Sequence, residues 1–291
     1  MFTSTASLMA TSLVTFLVMV WAVRGERALP SLRLFPANLR RQQGLRSALA
    51  VFGALLVLNA LEMRLEPWLA THVNADFTPW AAHLGAALPL RLQVAAASLP
   101  PLPQALLTGF FTWIYITVFP LLPLVAIVAF QDHPGRRRFL RNLALVYAIN
   151  YLVALPFYLV FPVREAWSGG AGIHFLIPQV YPGFNAQYLP LSGLDNSFPS
   201  LHTALSLSVF LLALRSGDRR LALVTGLGAA AVATATFYLG VHWTTDALAG
   251  AALAVAANAV AAAPLRGVAN RPVETRSPAL RVPALAAESE K

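Results

Sequence analysis

Three residues with side chains suited to catalysis or metal binding lie beside apolar segments in the second half of the chain. His202 follows a polar stretch in DNSFPSLHTALS (195–206), and His242 and Asp246 lie in YLGVHWTTDALAG (238–250). A carboxylate can hold an imidazole in one tautomer, and a second imidazole can serve as general acid and base. The residue types therefore indicate nucleophilic and acid–base catalysis, although a His/His/Asp set can also ligate zinc.

These three residues stand out because ionisable side chains are scarce around them. Among Asp, Glu, Lys, Arg and His, only His202 occurs between 198 and 214, and only His242 and Asp246 occur between 221 and 265. Hydrophobic residues make up 57% of the 291-residue chain and charged residues 11%, a balance typical of an integral membrane protein. Ionisable groups inside a membrane domain are costly, so they indicate a functional site.

Apolar runs predict the fold class, an all-α polytopic bundle with about seven transmembrane helices. A helix needs about 20 residues to cross the ~30 Å hydrocarbon core. Seven runs approach that length, near residues 4–23, 47–63, 105–130, 139–161, 198–214, 220–241 and 243–263. Residues 64–104, between the second and third runs, contain six prolines and predict short interfacial helices.

The basic residues predict the orientation of these spans. All but three of the 21 basic residues fall in 24–46, 136–141, 215–220 and the tail; the exceptions are Arg64, Arg91 and Arg164. Because Lys and Arg are retained on the cytoplasmic side, we expect the N-terminus outside and the C-terminus in the cytoplasm. The histidines then face the extracytoplasmic side.

Composition also bears on partners. The formal net charge of +9 is explained by topology and by contact with anionic lipid headgroups. We expect no nucleic-acid partner, because no basic patch interleaved with aromatic residues is present. The absence of cysteine excludes disulfides, thiolate metal ligands and cysteine nucleophiles.

Three regions are expected along the chain. Residues 1–138 supply N-terminal spans, an outer proline-rich loop and a basic amphipathic segment at 24–46, in which Pro30 and Pro36 should break any single helix. Residues 139–263 form the helical core that carries the three candidate residues. Residues 264–291, rich in proline, alanine and polar residues, are expected to form a disordered cytoplasmic tail.

The polar stretch before His202 predicts a helix start. Residues 195–197 are good capping types, and Pro199 suits a first turn, so the fifth span is expected to begin there. A helix start attracts phosphate. Ser200 would supply a hydroxyl close by, which makes it a candidate phosphate-binding residue.

The spacing of the two histidines allows them to share one membrane face. From His202 the chain runs about 14 residues to a turn and returns over about 22 residues to His242, at ~1.5 Å per residue. If the seventh helix has begun by His242, Asp246 lies four residues later on the same helical face. A His–Asp pair is therefore permitted.

Two motifs around these residues resemble a known superfamily. PSLH (199–202) and YLGVHWTTD (238–246) are similar to the second and third motifs, P-S-x-H and S-R-x5-H-x3-D, of the type 2 phosphatidic acid phosphatase superfamily. The resemblance covers roughly residues 139–263. It implies that His242 attacks phosphorus to form a phosphohistidine, Asp246 orients His242, and His202 protonates the leaving oxygen. It implies no metal and no cofactor.

The chain departs from the usual motifs where a phosphate would be held. Ala235 and Thr236 stand at the Ser-Arg positions, and the first motif, K-x6-R-P, is absent, since the only lysine is Lys291. The corresponding place, FPVREAWSGG (161–170), contains Arg164. Its guanidinium can grip a phosphate with two hydrogen bonds, so we expect Arg164 to be the substitute clamp.

The absence of these elements resembles the pattern in the branch of the superfamily that contains inositolphosphorylceramide synthases and, more distantly, sphingomyelin synthases. The enzymes of that branch transfer phospho-headgroups. The resemblance therefore implies a lipid phosphatase or phosphotransferase acting on a phospholipid or polyprenyl phosphate. Headgroup transfer is the first alternative. A non-catalytic lipid-binding or transport protein is the second.

Overall fold

The computed structural model describes residues 5–72, 75–188 and 195–263, and the expected disordered tail at 264–291 lies outside these ranges. The described residues form helices and loops, and their only strand-like pairing is one isolated bridge between Val163 and Asn196. The predicted all-α polytopic bundle is confirmed.

Three helices form the N-terminal part: α1 (Thr5–Arg24), α2 (Ala28–Arg41) and α3 (Gln43–Ala70). The expectation that Pro30 and Pro36 break any single helix is wrong, because α2 runs through both. Pro30 lies in the first turn, where a missing N–H costs no intrahelical bond. Packing of α2 against α3 and α7 holds the helix across Pro36.

Four helices follow: α4 (Thr78–Gly85), α5 (Ala87–Ala97), α6 (Pro101–Trp113) and α7 (Phe119–Phe130). The short α4 and α5 confirm the prediction of short helices in the proline-rich stretch. A π-helical turn, Ile114–Val118, joins α6 to α7 and makes them one continuous apolar rod.

The rest of the bundle consists of α8 (Arg136–Val160), α9 (Ile177–Val180), α10 (Phe184–Tyr188), α11 (Leu201–Ser216), α12 (Arg219–Tyr238) and α13 (Thr244–Ala262). The described chain contains six helical segments long and apolar enough to cross a membrane. The predicted fifth span corresponds to α11, which has 16 residues and falls short of that length.

α11 is the central helix of the bundle, and its position places the candidate site. It packs against α7, α8, α12 and α13, while α3 packs against the outside of α8. The first residues of α11 and α13 therefore lie at the same end, beside the end of α8. At this end α4 packs on α13, and a small core that includes Ala81, Val163, Ala166 and Trp243 covers the helix starts.

Candidate active site

The loop after α8 positions the two segments that carry the histidines. The Val163 N–H donates to the Asp195 carbonyl, and the Val163 carbonyl accepts from Ser197 N. Farther along the loop, Trp167 N donates to the Gly240 carbonyl in the turn between α12 and α13. One loop thus fixes the chain before α11 relative to the chain before α13.

His242 lies in irregular backbone just before α13. Its N–H donates to the Thr236 carbonyl at 3.2 Å, and the residue is almost fully buried. α13 begins only at Thr244, so the condition under which His242 and Asp246 would share a helical face is not met. Asp246 lies in the first turn, where its Oδ2 accepts from Trp243 N at 2.9 Å and stabilises the helix start.

Ser197 links His242 to Asp246. The Ser197 Oγ lies 2.6 Å from Asp246 Oδ2 and 3.0 Å from His242 Nδ1. The direct separation of His242 Nδ1 and Asp246 Oδ2 is 3.4 Å, which is long for a hydrogen bond. The structure therefore brings the predicted pair together mainly through a serine hydroxyl. From the sequence, Ser197 was only a candidate helix cap.

His202 faces His242 directly, with His202 Nδ1 3.0 Å from His242 Nε2. The His202 ring stacks on Tyr115, with ring centroids 4.7 Å apart, and contacts Phe119 at a centroid distance of 4.6 Å. These aromatic residues come from the π-helical turn and the start of α7. The third predicted span therefore helps to position His202, which the two motifs alone do not indicate.

The hydrogen-bond series determines which nitrogen atoms carry protons when both imidazoles are neutral. An ionised Asp246 carboxylate only accepts, so Ser197 donates its single hydroxyl proton to it. Ser197 Oγ then accepts from His242 Nδ1–H, and His242 Nε2 is left as an acceptor. His202 Nδ1–H is the donor to it. The lone pair of His242 Nε2, a potential nucleophile, therefore faces the proton on His202 Nδ1, a potential acid.

Ser200 is the N-cap of α11, and its side chain accepts from Thr203 N at 3.3 Å. The expectation of a cap within 195–197 and of Pro199 in the first turn is wrong, because the loop after α8 holds 195–197 outside the helix. Ser200 is fully buried, and its N–H donates to the Asp246 carbonyl at 3.0 Å. Its hydroxyl thus caps the first turn of α11, and Ser200 does not line the neighbouring cavity.

A cavity of about 550 Å³ opens beside the two histidines. Its polar end is formed by His202, His242, Tyr158, Glu165 and Asn196. From there it continues between α3, α7, α8 and α11 along apolar side chains, among them Phe52, Leu55, Phe119 and Ile127. A phosphate at the polar end and a hydrocarbon chain in the apolar part would fit this shape.

The polar end of the cavity is acidic. Among the described residues that line it there is no lysine or arginine, whereas Glu165 is present and only 2% exposed. Glu165 Oε2 accepts from Trp167 Nε1 at 2.6 Å. A second buried carboxylate, Glu62, accepts from the Tyr151 hydroxyl at 2.6 Å and from the Asn196 side chain. Sequence reasoning missed both glutamates, because each lies close in sequence to an arginine, Arg64 or Arg164, near the end of an apolar run.

Arg164, the predicted phosphate clamp, lies next to the site but does not line the cavity. Its side chain is 55% exposed, and its Nε is 3.7 Å from Asp195 Oδ1. Burial raises the pKa of the Asp195 carboxyl, and the positive charge of Arg164 opposes that rise. The Arg164 carbonyl accepts from Trp243 Nε1 at 2.8 Å. The backbone of Arg164 therefore supports the site, and its guanidinium must swing inward to reach a phosphate.

The two positions where the resemblance expects Ser-Arg are fully buried in α12 as Ala235 and Thr236. The Thr236 hydroxyl donates to the Ala233 carbonyl at 2.8 Å. The Thr236 carbonyl accepts from the backbone N–H groups of Val241 and His242. This part of α12 therefore holds the backbone of His242 and supplies no charge for a phosphate.

Comparison with known proteins identifies the family of the chain. A sequence model of the PAP2 superfamily matches residues 103–260, more than half of the 291-residue chain. The matched region begins in α6, so it includes the aromatic residues that contact His202. No curated protein and no solved structure matches the chain. The chain belongs to the PAP2 superfamily, a membership that indicates a phosphatase-type enzyme.

Proposed function

We propose that the protein is a membrane-embedded lipid phosphatase or phosphotransferase that forms a phosphohistidine on His242. One observation carries this proposal: the hydrogen-bonded series Asp246–Ser197–His242–His202 ends at the polar end of an apolar cavity. The substrate is a phospholipid or polyprenyl phosphate, whose chain fits the apolar part. The mechanism uses no metal, and among the described residues no group of three His, Asp or Glu side chains is arranged to hold one.

In the first step, His242 Nε2 attacks the phosphorus, and an N–P bond forms as the bond to the leaving oxygen breaks. His202 takes up a second proton as the anionic phosphate enters, and it donates a proton to the leaving oxygen. Because the two rings touch in the resting site, the phosphate has to enter between them. Ser197 and Asp246 hold His242 Nδ1–H and stabilise the positive charge that develops on the ring.

In the second step, an acceptor hydroxyl attacks the phosphorus and the N–P bond breaks. Neutral His202 takes the proton of that hydroxyl and returns to its protonated form. Water as acceptor releases a phosphate product, whereas an alcohol as acceptor receives the phosphoryl or phospho-headgroup. A buried site beside an apolar cavity limits access of bulk water to this step.

Headgroup transfer, as in the inositolphosphorylceramide synthase-like branch, is the second candidate function. A phosphodiester carries one negative charge near pH 7, whereas a phosphomonoester carries about 1.5 to 2. The described residues that line the cavity include no arginine or lysine to balance a second negative charge. A lining without a cation therefore favours a phosphodiester donor over a monoester.

We place the site at the extracytoplasmic face. The Tyr158 hydroxyl, near the end of α8, donates to the Pro199 carbonyl beside the site. The arginine-rich residues 136–141 lie at the other end of the same helix. Because basic residues are retained in the cytoplasm, this arrangement supports a cytoplasmic start for α8 and an outward-facing site.

The substrate test is incubation of the purified protein with labelled phospholipids and polyprenyl phosphates, scored for free phosphate, exchanged headgroup or neither. His242→Ala should abolish turnover and phosphoenzyme formation while the protein stays monodisperse in detergent. Turnover within a few-fold of the parent would contradict the mechanism. Lipid binding without turnover in the parent would favour a lipid-binding or transport protein.

A lipid analogue that carries a nitrophenyl leaving group can distinguish the catalytic roles of the two histidines. This leaving group needs no proton, so His202→Asn should still phosphorylate His242. The second step should then stall because no base activates the acceptor. Accumulation of acid-labile phosphoenzyme in His202→Asn, and its absence in His242→Ala, is the expected result.

A further inference from the structure

A second large groove lies at the opposite end of the bundle from the histidines. It has a volume of about 800 Å³ and lies between the start of α3 and the start of α8. From Arg141 at this groove to Tyr158 beside the candidate site, α8 rises over 17 residues, about 26 Å. The groove is therefore separate from the cavity in which we place catalysis.

The groove combines a basic mouth with an apolar interior. Four arginines line its mouth: Arg41, Arg136, Arg137 and Arg141. Farther along α3 and α8 its walls are small and aliphatic side chains, among them Leu45, Ala48, Val51, Leu140, Ala144 and Leu145. No carboxylate is among the described residues that line it.

The arginines at the mouth are not neutralised by nearby acids of the described chain. Asp132, the acid before α8, lies 2.7 Å from Arg24, and Asp218 caps α12 by accepting from Leu221 N. Arg141 donates to the neutral amide oxygen of Asn142 at 3.0 Å. The groove therefore presents a concentration of positive charge without an internal counter-charge.

The start of α8 adds to this positive field. The positive end of a helix dipole favours anions. The first three residues of α8 are nevertheless arginines, and its first turn contains no acidic residue. Gly135, at the N-cap, has no side chain to accept from the first N–H groups. An anion in the groove would offset both the arginine charges and the dipole.

We propose that this groove binds one anionic phospholipid, with its phosphate among the four arginines and an acyl chain along the apolar walls of α3 and α8. A basic mouth at the membrane surface above an apolar wall matches a lipid with a negative headgroup and a hydrocarbon tail. Such a lipid would join α3 to the helical core at the end remote from the histidines.

The test is native mass spectrometry of the full-length protein in nonionic detergent, titrated with dioleoyl phosphatidylglycerol or dioleoyl phosphatidylcholine. Arg41→Gln/Arg137→Gln removes two mouth charges. The matched control, Arg33→Gln/Arg138→Gln, removes the same charge from exposed arginines of α2 and α8 that do not line the groove. Removing two juxtamembrane cations should weaken phosphatidylglycerol binding about 10- to 30-fold in the mouth variant only.

Each other outcome overturns the proposal. Equal weakening in both double variants would indicate diffuse electrostatic attraction, and equal affinity of the parent for the two lipids would exclude headgroup selection. Competition by inorganic phosphate at the lipid concentration used would indicate an anion site without a lipid. If the mouth double variant is not monodisperse, the single variants Arg137→Gln and Arg138→Gln give the same comparison, since both side chains are exposed.

Discussion

The Ser197 hydroxyl oxygen lies 2.6 Å from Asp246 Oδ2, closer to the carboxylate than the His242 imidazole at 3.4 Å. The same oxygen is 3.0 Å from His242 Nδ1. The buried aspartate therefore acts on the histidine through a serine. An imidazole held in this way keeps one tautomer, with Nε2 directed to His202.

Ser197→Ala removes this link, and we expect kcat to fall about tenfold with little change in KM. The loss corresponds to about 1–1.5 kcal/mol, the net value of one hydrogen bond. The rate of phosphoenzyme formation in a single turnover measures it. Ser216→Ala is the matched control, because the Ser216 hydroxyl lies at the other end of α11, where it donates to the Ala213 carbonyl and accepts from Asp218 N. An unchanged rate in Ser197→Ala would show that Asp246 holds His242 unaided.

Arg164→Lys and Arg164→Ala test the predicted phosphate clamp. A lysine keeps the charge but loses the planar two-pronged geometry, so kcat/KM should fall in both variants. The alanine variant should be worse by about 1.5–3 kcal/mol, the range for a charged hydrogen bond. If Arg164→Ala matches the parent on the lipid identified by the substrate test, other groups hold the phosphate.

Asp195→Asn provides the complementary test of the same clamp. Asp195 attracts the Arg164 guanidinium at 3.7 Å outside the cavity. Removing this charge should free Arg164 to swing toward a phosphate and raise kcat/KM. Because a partly exposed ion pair at this long separation contributes little stability, the melting temperature should stay near that of the parent. A fall in kcat/KM at unchanged stability would argue that the ion pair itself supports the site.

Gly250→Ala tests the close approach of α13 to the start of α11. A Cβ at Gly250 would collide with the Ser200 carbonyl, so the free energy of unfolding should fall by about 1–3 kcal/mol. Gly53→Ala is the control, since no described atom lies within 4 Å of a Cβ added there. Thermal unfolding in detergent measures both. A parental melting temperature for Gly250→Ala would mean that the two helices separate without cost.

The absence of cysteine from the chain allows a direct test of orientation by single-cysteine labelling. A membrane-impermeant maleimide should label Ala171→Cys in intact cells, because the loop after α8 is expected outside. Pro134→Cys, in the turn before α8, and Ser216→Cys should react only after the membrane is opened. Labelling of all three from one side would overturn the proposed topology.

Much of the bundle could be predicted from the sequence. The length of an apolar run and the scarcity of ionisable side chains within it are local properties of the sequence. Long apolar runs indicate helices whatever they pack against, and the isolated His202, His242 and Asp246 stand out within them. The structure places these three residues together, as their positions at the ends of neighbouring segments suggested.

The remaining details depend on contacts between segments distant in sequence. Residues 195–197 look like helix caps, but pairing with Val163 holds them outside α11 and gives Ser197 its place beside His242. Pro36 looks like a helix breaker, but neighbouring helices hold α2 intact. Glu165 reaches the cavity only because the loop after α8 folds onto the turn before α13.

The shortness of α11 affects how a lipid reaches the histidines. Its 16 residues span about 24 Å, less than the ~30 Å thickness of the hydrocarbon core. Its histidine end is covered by α4 and the loop after α8. Entry from the aqueous side is therefore obstructed, while the cavity continues between α3 and α7. On the proposed function, a lipid would move sideways out of its own leaflet and carry its phosphate below the headgroup plane, away from bulk water.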